Sequence, residues 1–592
     1  MQQQISQKEA IIRVNNLMTS WLSNTNQYFS QVCRDNIGRP YRSTPFWSIS
    51  DSVELGEEVA GDIILVTQFF NGNSAARKEE LKTALKVNVA NTEINKIILL
   101  NERIYTDNEL GVKSDKIEQI VVNKRLNYKI VFDEVEKLNL NGYIVLSNLD
   151  IFFDKTVSNI RRSGIANEKA MFALLRYEYK PGVSIANTPI FEHRSASQDT
   201  WIWHTNWNVG KKEREIFDFN MGTLGCDNTF IYLAQMLGYK TYNTPQIVKT
   251  YHNHSTNERN YSKSVTTPKP HYYMAALMND DNVKQDVSHP FTFRGENNNF
   301  YDYLNKMLTS NKKFIVPRLA GIEHMYAIVG AEVKQTGSFN GSHADFVNKT
   351  RSVMKNNAGV FLPSGDSIIQ YSDLYLRAFH LCDMYMDWEP QGDVASAYGS
   401  GLQLAFEFIQ HNFENKKRLW SFGVADIFHL IYQEKPWTHA LKGKRLLIIS
   451  PFGETFKKQL PVLDKIYGRD LFPDCTFKFL SPPVTNGKNQ SRPFIEELND
   501  FVKRIGTVAN DFDVALVSCG GYGNPVLNRI HDMGKSAIYV GGVLQMFFGV
   551  YGSRWERERP LMMRLFKNEH WVRPTRDERP QGFEGVEGSC YW

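Results

Sequence analysis

Short apolar runs alternate with amphipathic helical patterns from about residue 62 onward. Each run is rich in Ile, Leu and Val and ends in polar residues, which is typical of parallel strands buried on both faces. The runs that predict strands are "DIILVTQFF", "INKIILLNE", "KIEQIVVN" and "GYIVLSNLD". Between them, "SAARKEELKTALKVNV", capped by Ser74, and "YKIVFDEVEKLN" predict helices. Strands that alternate with helices of this length predict an open, mainly parallel sheet.

The pattern continues to about residue 261 and recurs, after a polar stretch, from about residue 312. The later segments predicted as strands are "MFALLRYEY", "KTYNTPQIVKTYHNHS", "KRLLIIS", "FDVALVSCGGYG" and "KSAIYVGGV". We therefore predict an α/β protein with two tandem Rossmann-like domains. The predicted organisation is a helical amino-terminal extension (1–60), a first domain (61–265), a linker region (266–311) and a second domain (312–592).

Composition narrows the class of protein. A chain of 592 residues with 42% hydrophobic residues is globular and too long for one core. The net charge of +5 and the lack of a Lys/Arg block argue against a nucleic-acid partner. The scattered cysteines lack C-x-x-C spacing, which argues against a zinc site and a disulfide framework. No apolar run approaches the roughly 20 residues of a membrane span. We expect a cytoplasmic protein with no membrane span.

Polar side chains follow the strand predicted in "GYIVLSNLDIFFDKT". Asn148 and Asp150 stand where the apolar run ends, and Asp154 follows. Ligands of open α/β sheets bind beyond the carboxyl ends of the strands. Oxygen ligands at such an edge suit Mg²⁺ or Mn²⁺ bridging a diphosphate. The plainer alternative is that Asp150 and Asp154 cap the turn or helix that follows.

Three later segments carry groups that suit a sugar nucleotide. They are Asp227 after the Gly-rich turn of "GTLGCDNTF", His252 and His254 in "YHNHS", and Asp199 beside Trp201 and Trp203 in "SQDTWIW". An aromatic ring next to an acid suits a sugar, which stacks on the ring and hydrogen-bonds to the carboxylate. The alternatives are a helix cap, surface histidines and core tryptophans.

The joint order of these segments resembles nucleotide-sugar glycosyltransferases of the A-type fold, of a kind found in large DNA viruses and bacteria. The matching segments, over roughly residues 60–262, are "TQFF", "SNLDIFFD", "RYEY", "SQDTWIW", "MGTLGCDN" and "GYKTYNTPQIVKTYHNHSTNERNY". The resemblance implies a nucleotide-sugar donor, a glycan or glycoconjugate acceptor and a Mn²⁺ or Mg²⁺ cofactor.

The same resemblance implies roles for single residues. Asp150 would hold the metal and the donor diphosphate, with Asn148 in place of the first acid of the Asp-x-Asp motif. Asp199 would contact the donor. Asp227 would deprotonate the acceptor hydroxyl of an inverting reaction, and a retaining reaction stays open. His252 or His254 would complete the metal shell.

The second domain carries a Gly-rich turn and a cationic pair. Gly520, Gly521 and Gly523 in "VSCGGYGNPVL" would let backbone amides approach a phosphate, although tight packing is the plainer alternative. Arg554 precedes a tryptophan in "FFGVYGSRW" and suits phosphate and ring contacts.

Residues from about 312 to 592 resemble glycosyltransferases of the D-type fold. The segment "RLAGIE" aligns with one that commonly reads Arg-aromatic-Gly-Asp-Gly-Glu, so that Arg318 and Glu323 match. Gly321 stands in place of the aspartate, which argues against a metal in this domain. The resemblance implies that Arg318 binds the donor and that Glu323 is a base or sugar ligand, the alternative being a structural ion pair between the two.

We therefore expect a bifunctional glycosyltransferase that adds sugars to one glycan. One rival is a single active amino-terminal transferase with an acceptor-binding or structural second domain. Another is a non-catalytic carbohydrate-binding protein. Dehydrogenase or methyltransferase chemistry is disfavoured, because the first strand end, "TQFFNGN", lacks the glycine fingerprint of a dinucleotide site.

Overall fold

The chain divides into two compact units, residues 45–293 and residues 294–592. The computed structural model describes residues 53–191, 197–256, 292–339, 341–387, 412–420, 427–489, 492–586 and 588–592, with the short stretches 46–48, 258, 267, 274–276, 409 and 424. Most of the predicted helical extension lies outside these residues, and 53–60 contain no helix. No helix in the described ranges has both the length and the apolar character needed to cross a membrane.

The amino-terminal unit is built on a mixed sheet of seven strands in the order β10-β7-β9-β5-β2-β3-β4. The elements of this unit in chain order are β1 (Phe46–Ser48), β2 (Asp62–Thr67), α1 (Ala75–Ala90), β3 (Lys96–Asn101), α2 (Asp107–Leu110), β4 (Ile117–Val121), α3 (Tyr128–Lys137), β5 (Gly142–Ser147), β6 (Ile151–Phe153), β7 (Ala170–Leu174), β8 (Tyr177–Tyr179), β9 (Thr200–His204), α4 (Cys226–Met236), β10 (Lys240–Tyr242), β11 (Thr250–Asn253) and β12 (Met274–Ala276). The predicted strands β2 to β5 and the Ser74 cap of α1 are confirmed.

The strand order of this sheet reverses between β2 and β5. Strand β9 runs antiparallel to its neighbours β5 and β7, and the other neighbours in the sheet are parallel. From β2 the chain first adds β3 and β4 on one side and then β5 on the other. Ligands of open α/β sheets bind where the strand order reverses in this way. Burial of every β5 residue fits its apolar sequence.

A second, small sheet, β6-β11-β8, brings the late histidines to the end of β5. The segment "MFALLRYEY", predicted as one strand, forms β7 in the large sheet and β8 in the small one. The chain changes sheet at Leu175 and Arg176, where the buried Arg176 side chain pairs with the partly buried Glu178 and Asp199. Strand β11 runs antiparallel to β6, with His252 opposite Ile151.

The carboxy-terminal unit contains a parallel five-stranded sheet in the order β13-β19-β18-β16-β17. Its elements are α5 (Phe293–Thr309), β13 (Ile315–Val316), α6 (Gly321–Thr336), α7 (Gly341–Asn356), α8 (Gly365–Leu381), β14 (Met384–Asp387), β15 (Lys417–Trp420), α9 (Ile427–Leu430), β16 (Arg445–Ile449), α10 (Gly453–Gln459), α11 (Leu463–Tyr467), β17 (Thr476–Leu480), α12 (Phe494–Thr507), β18 (Val514–Val517), α13 (Gly523–Asp532), β19 (Ser536–Tyr539), α14 (Leu544–Phe547), α15 (Ser553–Glu558) and α16 (Pro560–Phe566). Most of helix α5 lies in the range that was predicted as a linker. The helix packs against the unit, since its residues Phe300 and Leu304 are buried.

Candidate active site

A cavity of about 270 Å³ opens at the carboxyl ends of β2 and β5, where the strand order reverses. Its walls include the strand-end residues Gln68 and Asn148. The charged or ionisable residues on its walls are Arg77, Glu102, Arg125, Asp150, His254 and Glu258. The predicted donor residues Asn148 and Asp150 therefore share one pocket.

Asp150, His252 and His254 form a cluster that could hold a metal ion. Their ligand atoms all lie within 4.8 Å of one another. Asp150 Oδ2 is 3.3 Å from His252 Nε2 and 3.5 Å from His254 Nδ1. The backbone N–H of Asn253 donates to the Asp150 carbonyl at 2.8 Å, which fixes β11 beside the strand end. Residues at i and i+2 of an extended chain face the same side, so both imidazoles reach the carboxylate.

The cluster is strongly charged. Burial alone would raise the pKa of Asp150, but His252, His254 and Arg77 hold this pKa well below its ordinary value. Arg77 donates from Nη2 to Asp150 Oδ2 at 2.5 Å. Burial would lower the pKa of His252, whereas Asp150 and Glu178 raise it to about 9. Asp150 is therefore ionised and His252 protonated at neutral pH, and a metal ion would displace that proton.

The residues present fit a divalent transition metal. The donor set is one carboxylate and two imidazoles. Nε2 of His254 is buried and has no hydrogen-bond partner. Imidazole nitrogens suit Mn²⁺ and later divalent metals better than Mg²⁺, which prefers oxygen ligands. Of the two predicted metals, this donor set favours Mn²⁺.

Arg77 and Glu80 belong to this site but carry no sequence signal for it. Arg77 Nη1 donates to Glu80 Oε2 at 3.0 Å, and Glu80 Oε1 accepts from the backbone N–H groups of Ser255 and Thr256. An Arg and a Glu three positions apart on a helix usually form an exposed pair.

Asp199 and Asp227 lie behind the cavity and do not line it. Asp199 accepts from Asn148 Nδ2 at 2.7 Å and is paired with Arg176. Asp227 Oδ2 accepts from the backbone N–H of Gln198 at 3.2 Å. Burial and the Asp199 charge raise the pKa of Asp227 to about 6. Asp227 therefore does not share this cavity with Asp150, although the Gly-rich turn before Asp227 reaches the cavity through Gly222.

Two of the plainer alternatives are correct. Trp201 and Trp203 are 1% and 0% exposed in the core, so the sugar-stacking surface predicted beside Asp199 is wrong. Asp154 caps the 3₁₀ helix Lys155–Arg162 by accepting from the backbone N–H of Thr156 at 2.9 Å. Of the two acids after β5, only Asp150 faces the cavity.

The carboxy-terminal unit has its own cavity, of about 330 Å³, at the carboxyl ends of its parallel strands. The predicted residues Arg318, Glu323, Gly520 and Arg554 all line it. Gly321 lines it as well. Guanidinium groups beside one carboxylate suit an anionic ligand such as a phosphate.

Gly521 and Gly523 do not line this cavity, and close packing explains both. A Cβ at Gly523 would lie 2.3 Å from the Tyr539 ring, and one at Gly521 would lie 2.5 Å from Val360 Cγ2. Gly520 has a φ of +52° and lines the cavity. The predicted donor contact of the turn is therefore restricted to Gly520.

No protein-family model and no curated protein matches the chain. Solved structures that match include a mannosyltransferase, PcManGT from Pyrobaculum calidifontis, in complex with GDP-Man and Mn²⁺. It has 7% identity and a TM-score of 0.25, and the match covers 68% of this chain and 98% of that one. GalNAc-T7 with UDP, GalNAc and Mn²⁺ matches with 8% identity and a TM-score of 0.25, and the match covers 50% of this chain and 55% of that one. Similarity at this level assigns no function to the chain.

Proposed function

We propose that residues 45–293 form a metal-dependent glycosyltransferase that uses a nucleotide-sugar donor. The observation that carries this proposal is the cluster of Asp150, His252 and His254, of which Asp150 and His254 line a cavity where the strand order reverses. A carboxylate and two imidazoles at that edge form a metal site placed where a nucleotide diphosphate would bind. A divalent ion bound there would neutralise the diphosphate leaving group.

The chain's own cations complete the donor site. Arg77 and Arg125 line the same cavity, and guanidinium groups suit the oxygens of a diphosphate. Asn148 replaces an acid and so lowers the negative charge that a diphosphate would meet. The same walls carry the acids Glu102, Asp150 and Glu258, so a bound divalent ion would be needed beside these cations to hold a diphosphate there.

Asp227 is proposed as the base of an inverting reaction. Its carboxylate, with a pKa of about 6, is ionised at neutral pH and can accept a proton. The acceptor hydroxyl would give its proton to Asp227 as its oxygen bonds to the anomeric carbon. The bond from that carbon to the diphosphate breaks, and the electron pair leaves with the phosphate.

The carboxy-terminal unit is proposed as a second donor site, which makes the protein bifunctional. The cavity lined by Arg318, Glu323, Gly520 and Arg554 supports this role. Its guanidinium groups would stabilise a leaving diphosphate, as expected where Gly321 replaces a metal-binding acid. In the alternative, only the amino-terminal unit is active, and this cavity binds the acceptor or has a structural role. We place the protein in the cytoplasm and take the acceptor to be a glycan or glycoconjugate.

Asp150→Asn tests the first site, because it removes the charge and keeps the side-chain size. We expect the variant to lose Mn²⁺ binding in titration calorimetry and to lose metal-dependent turnover of a panel of UDP- and GDP-sugars. Asp133→Asn is the matched control, since Asp133 pairs with buried Arg214 at 3.0 Å outside the cavity. A variant at Asp150 that binds Mn²⁺ like the wild type would refute the metal site. Retained metal binding without any turnover in the wild type would favour a carbohydrate-binding protein.

A further inference from the structure

Arg176 lies on the two-residue connection between β7 and β8 and is 6% exposed. Its Nε donates to Glu178 Oε1 at 2.7 Å, and its Nη1 pairs with Asp199. We infer that Arg176 is a positioning residue that joins the candidate metal site to the chain segment beside the proposed base. This inference rests on the proposed function of residues 45–293.

On the metal side, Glu178 fixes the orientation of the His252 ring. The two residues are opposite each other where β8 and β11 pair. Glu178 Oε1 and Oε2 lie 3.2 and 3.4 Å from His252 Nδ1. Because Nδ1 is engaged there, Nε2 is the nitrogen turned to Asp150. A carboxylate on the far nitrogen of a metal-binding histidine sets its tautomer and raises its basicity.

On the other side, the same guanidinium holds residues 197–199. Nη1 of Arg176 also donates to Ser197 Oγ at 3.0 Å. Asp199 accepts from Asn148 at the end of β5, and the next residue back, Gln198, donates its N–H to Asp227. The Phe191 ring lies 4.0 Å from the guanidinium carbon and covers it. One buried side chain thus supports both the metal ligand His252 and the segment that contacts Asp227.

Arginine suits this connection better than lysine does. Its planar fork bonds several oxygens in fixed directions, whereas lysine offers a point charge on a flexible stem. Removal of the guanidinium would leave two carboxylates without their common cation. Arg176→Lys should therefore disturb both sides. Changes at Glu178 should disturb only the support of His252. Asp199→Asn should disturb only residues 197–199, which contact Asp227.

The test measures Mn²⁺ affinity of the full-length protein without donor, and separately kcat at saturating Mn²⁺. We expect Glu178→Ala to weaken Mn²⁺ binding by about 10–100-fold, with kcat restored at saturating metal. Glu178→Gln should weaken it less, because the amide oxygen still accepts from Nδ1. Asp199→Asn should keep Mn²⁺ affinity and lose kcat, and Arg176→Lys should lose both.

Arg214→Lys is the matched control. Arg214 is 4% exposed and pairs with Asp133 and Glu136. The Arg214→Lys variant should keep the Mn²⁺ affinity of the wild type. Wild-type Mn²⁺ affinity in Arg176→Lys and Glu178→Ala, together with loss of affinity in Asp150→Asn, overturns the inference alone. Wild-type affinity in Asp150→Asn overturns the proposed metal site instead. Should Arg176→Lys fail to fold, loss of Mn²⁺ affinity in Glu178→Ala together with loss of kcat in Asp199→Asn supports the inference, because Arg176 pairs with both residues, and wild-type values in both variants overturn it.

Discussion

At the residue scale, Asp227 lies in surroundings that favour its protonated form. Burial and the neighbouring Asp199 charge raise its pKa to about 6. A carboxyl group can act as a base only when it is ionised, so the fraction of competent enzyme falls as the pH drops through that value. At saturating Mn²⁺, the reaction of the amino-terminal unit should therefore have an acidic limb near pH 6 and level off at higher pH.

Asp227→Asn should remove this acidic limb. Loss of a general base should lower kcat by roughly 10²–10⁴-fold, while donor affinity stays unchanged because Asp227 does not line the donor cavity. The measurement is kcat against pH, together with calorimetric titration of the donor. Asp133→Asn should keep the wild-type profile. A variant at Asp227 that retains the limb would assign it to another group.

Part of the site was predictable from single residues. Asp150 follows β5, His252 lies near the end of β11 and His254 follows β11, and polar groups at strand ends are where ligands of α/β folds bind. Arg77 and Glu178 were not predictable as site residues, because their roles depend on which strand lies next to which. The metal-ligating residue types can be recognised in the sequence, whereas the charged residues that contact them are brought there by tertiary packing.

At the element scale, the glycines that begin α13 serve the packing of the second sheet. A Cβ at Gly523 would meet the Tyr539 ring on β19 at 2.3 Å. Tyr539 also donates its hydroxyl hydrogen to the Gly520 carbonyl at 2.8 Å. The start of the helix and the end of the strand are thus fitted to each other without room for a side chain.

Gly523→Ala should destabilise the protein by about 1–3 kcal/mol, the usual cost of overpacking a core. The control is Gly506→Ala in α12, where a Cβ would meet nothing within 4 Å. Alanine in a helix should be neutral there or stabilise by up to about 1 kcal/mol. Urea unfolding of both variants measures the difference. Equal midpoints would show that Tyr539 moves aside at little cost.

Most strands were predictable because their apolar runs are long enough to identify them. The segments "MFALLRYEY" and "KTYNTPQIVKTYHNHS" were the exceptions, since each contributes strands to two sheets. An apolar run indicates burial but does not say which partner strand covers it. In the first segment the break occurs at Arg176, which pairs with nearby Glu178 and with Asp199 from a later segment.

At the scale of the whole molecule, the two units carry cavities of different chemistry. Among the described residues, Asp150, His252 and His254 form the one cluster with metal-ligand spacing. The second cavity has Arg318, Arg554 and Glu323 on its walls. Two donor sites built in this way would respond differently to removal of divalent metal.

Chelation should separate the two activities in the full-length protein. We expect Asp150→Asn to leave a nucleotide-sugar turnover that survives EDTA, and a further Glu323→Gln change to abolish it. Turnover of a nucleotide-sugar panel with and without EDTA measures both effects. If chelated wild type and Asp150→Asn turn over no donor, and Glu323→Gln changes nothing, the single-transferase alternative is correct.

The metal cluster joins parts of the chain that are far apart in sequence. Arg77 and Asp150, which are in contact, are separated by 73 positions, and His252 reaches them only once β11 lies between β6 and β8. Closing such loops costs chain entropy before any contact repays it. An ion held by these residues would bind the assembled unit more tightly than the unfolded chain, so by mass action it would add up to about 2.7 kcal/mol of stability at a hundred times its Kd. The cofactor would then also stabilise the folded unit by linking its early and late strands.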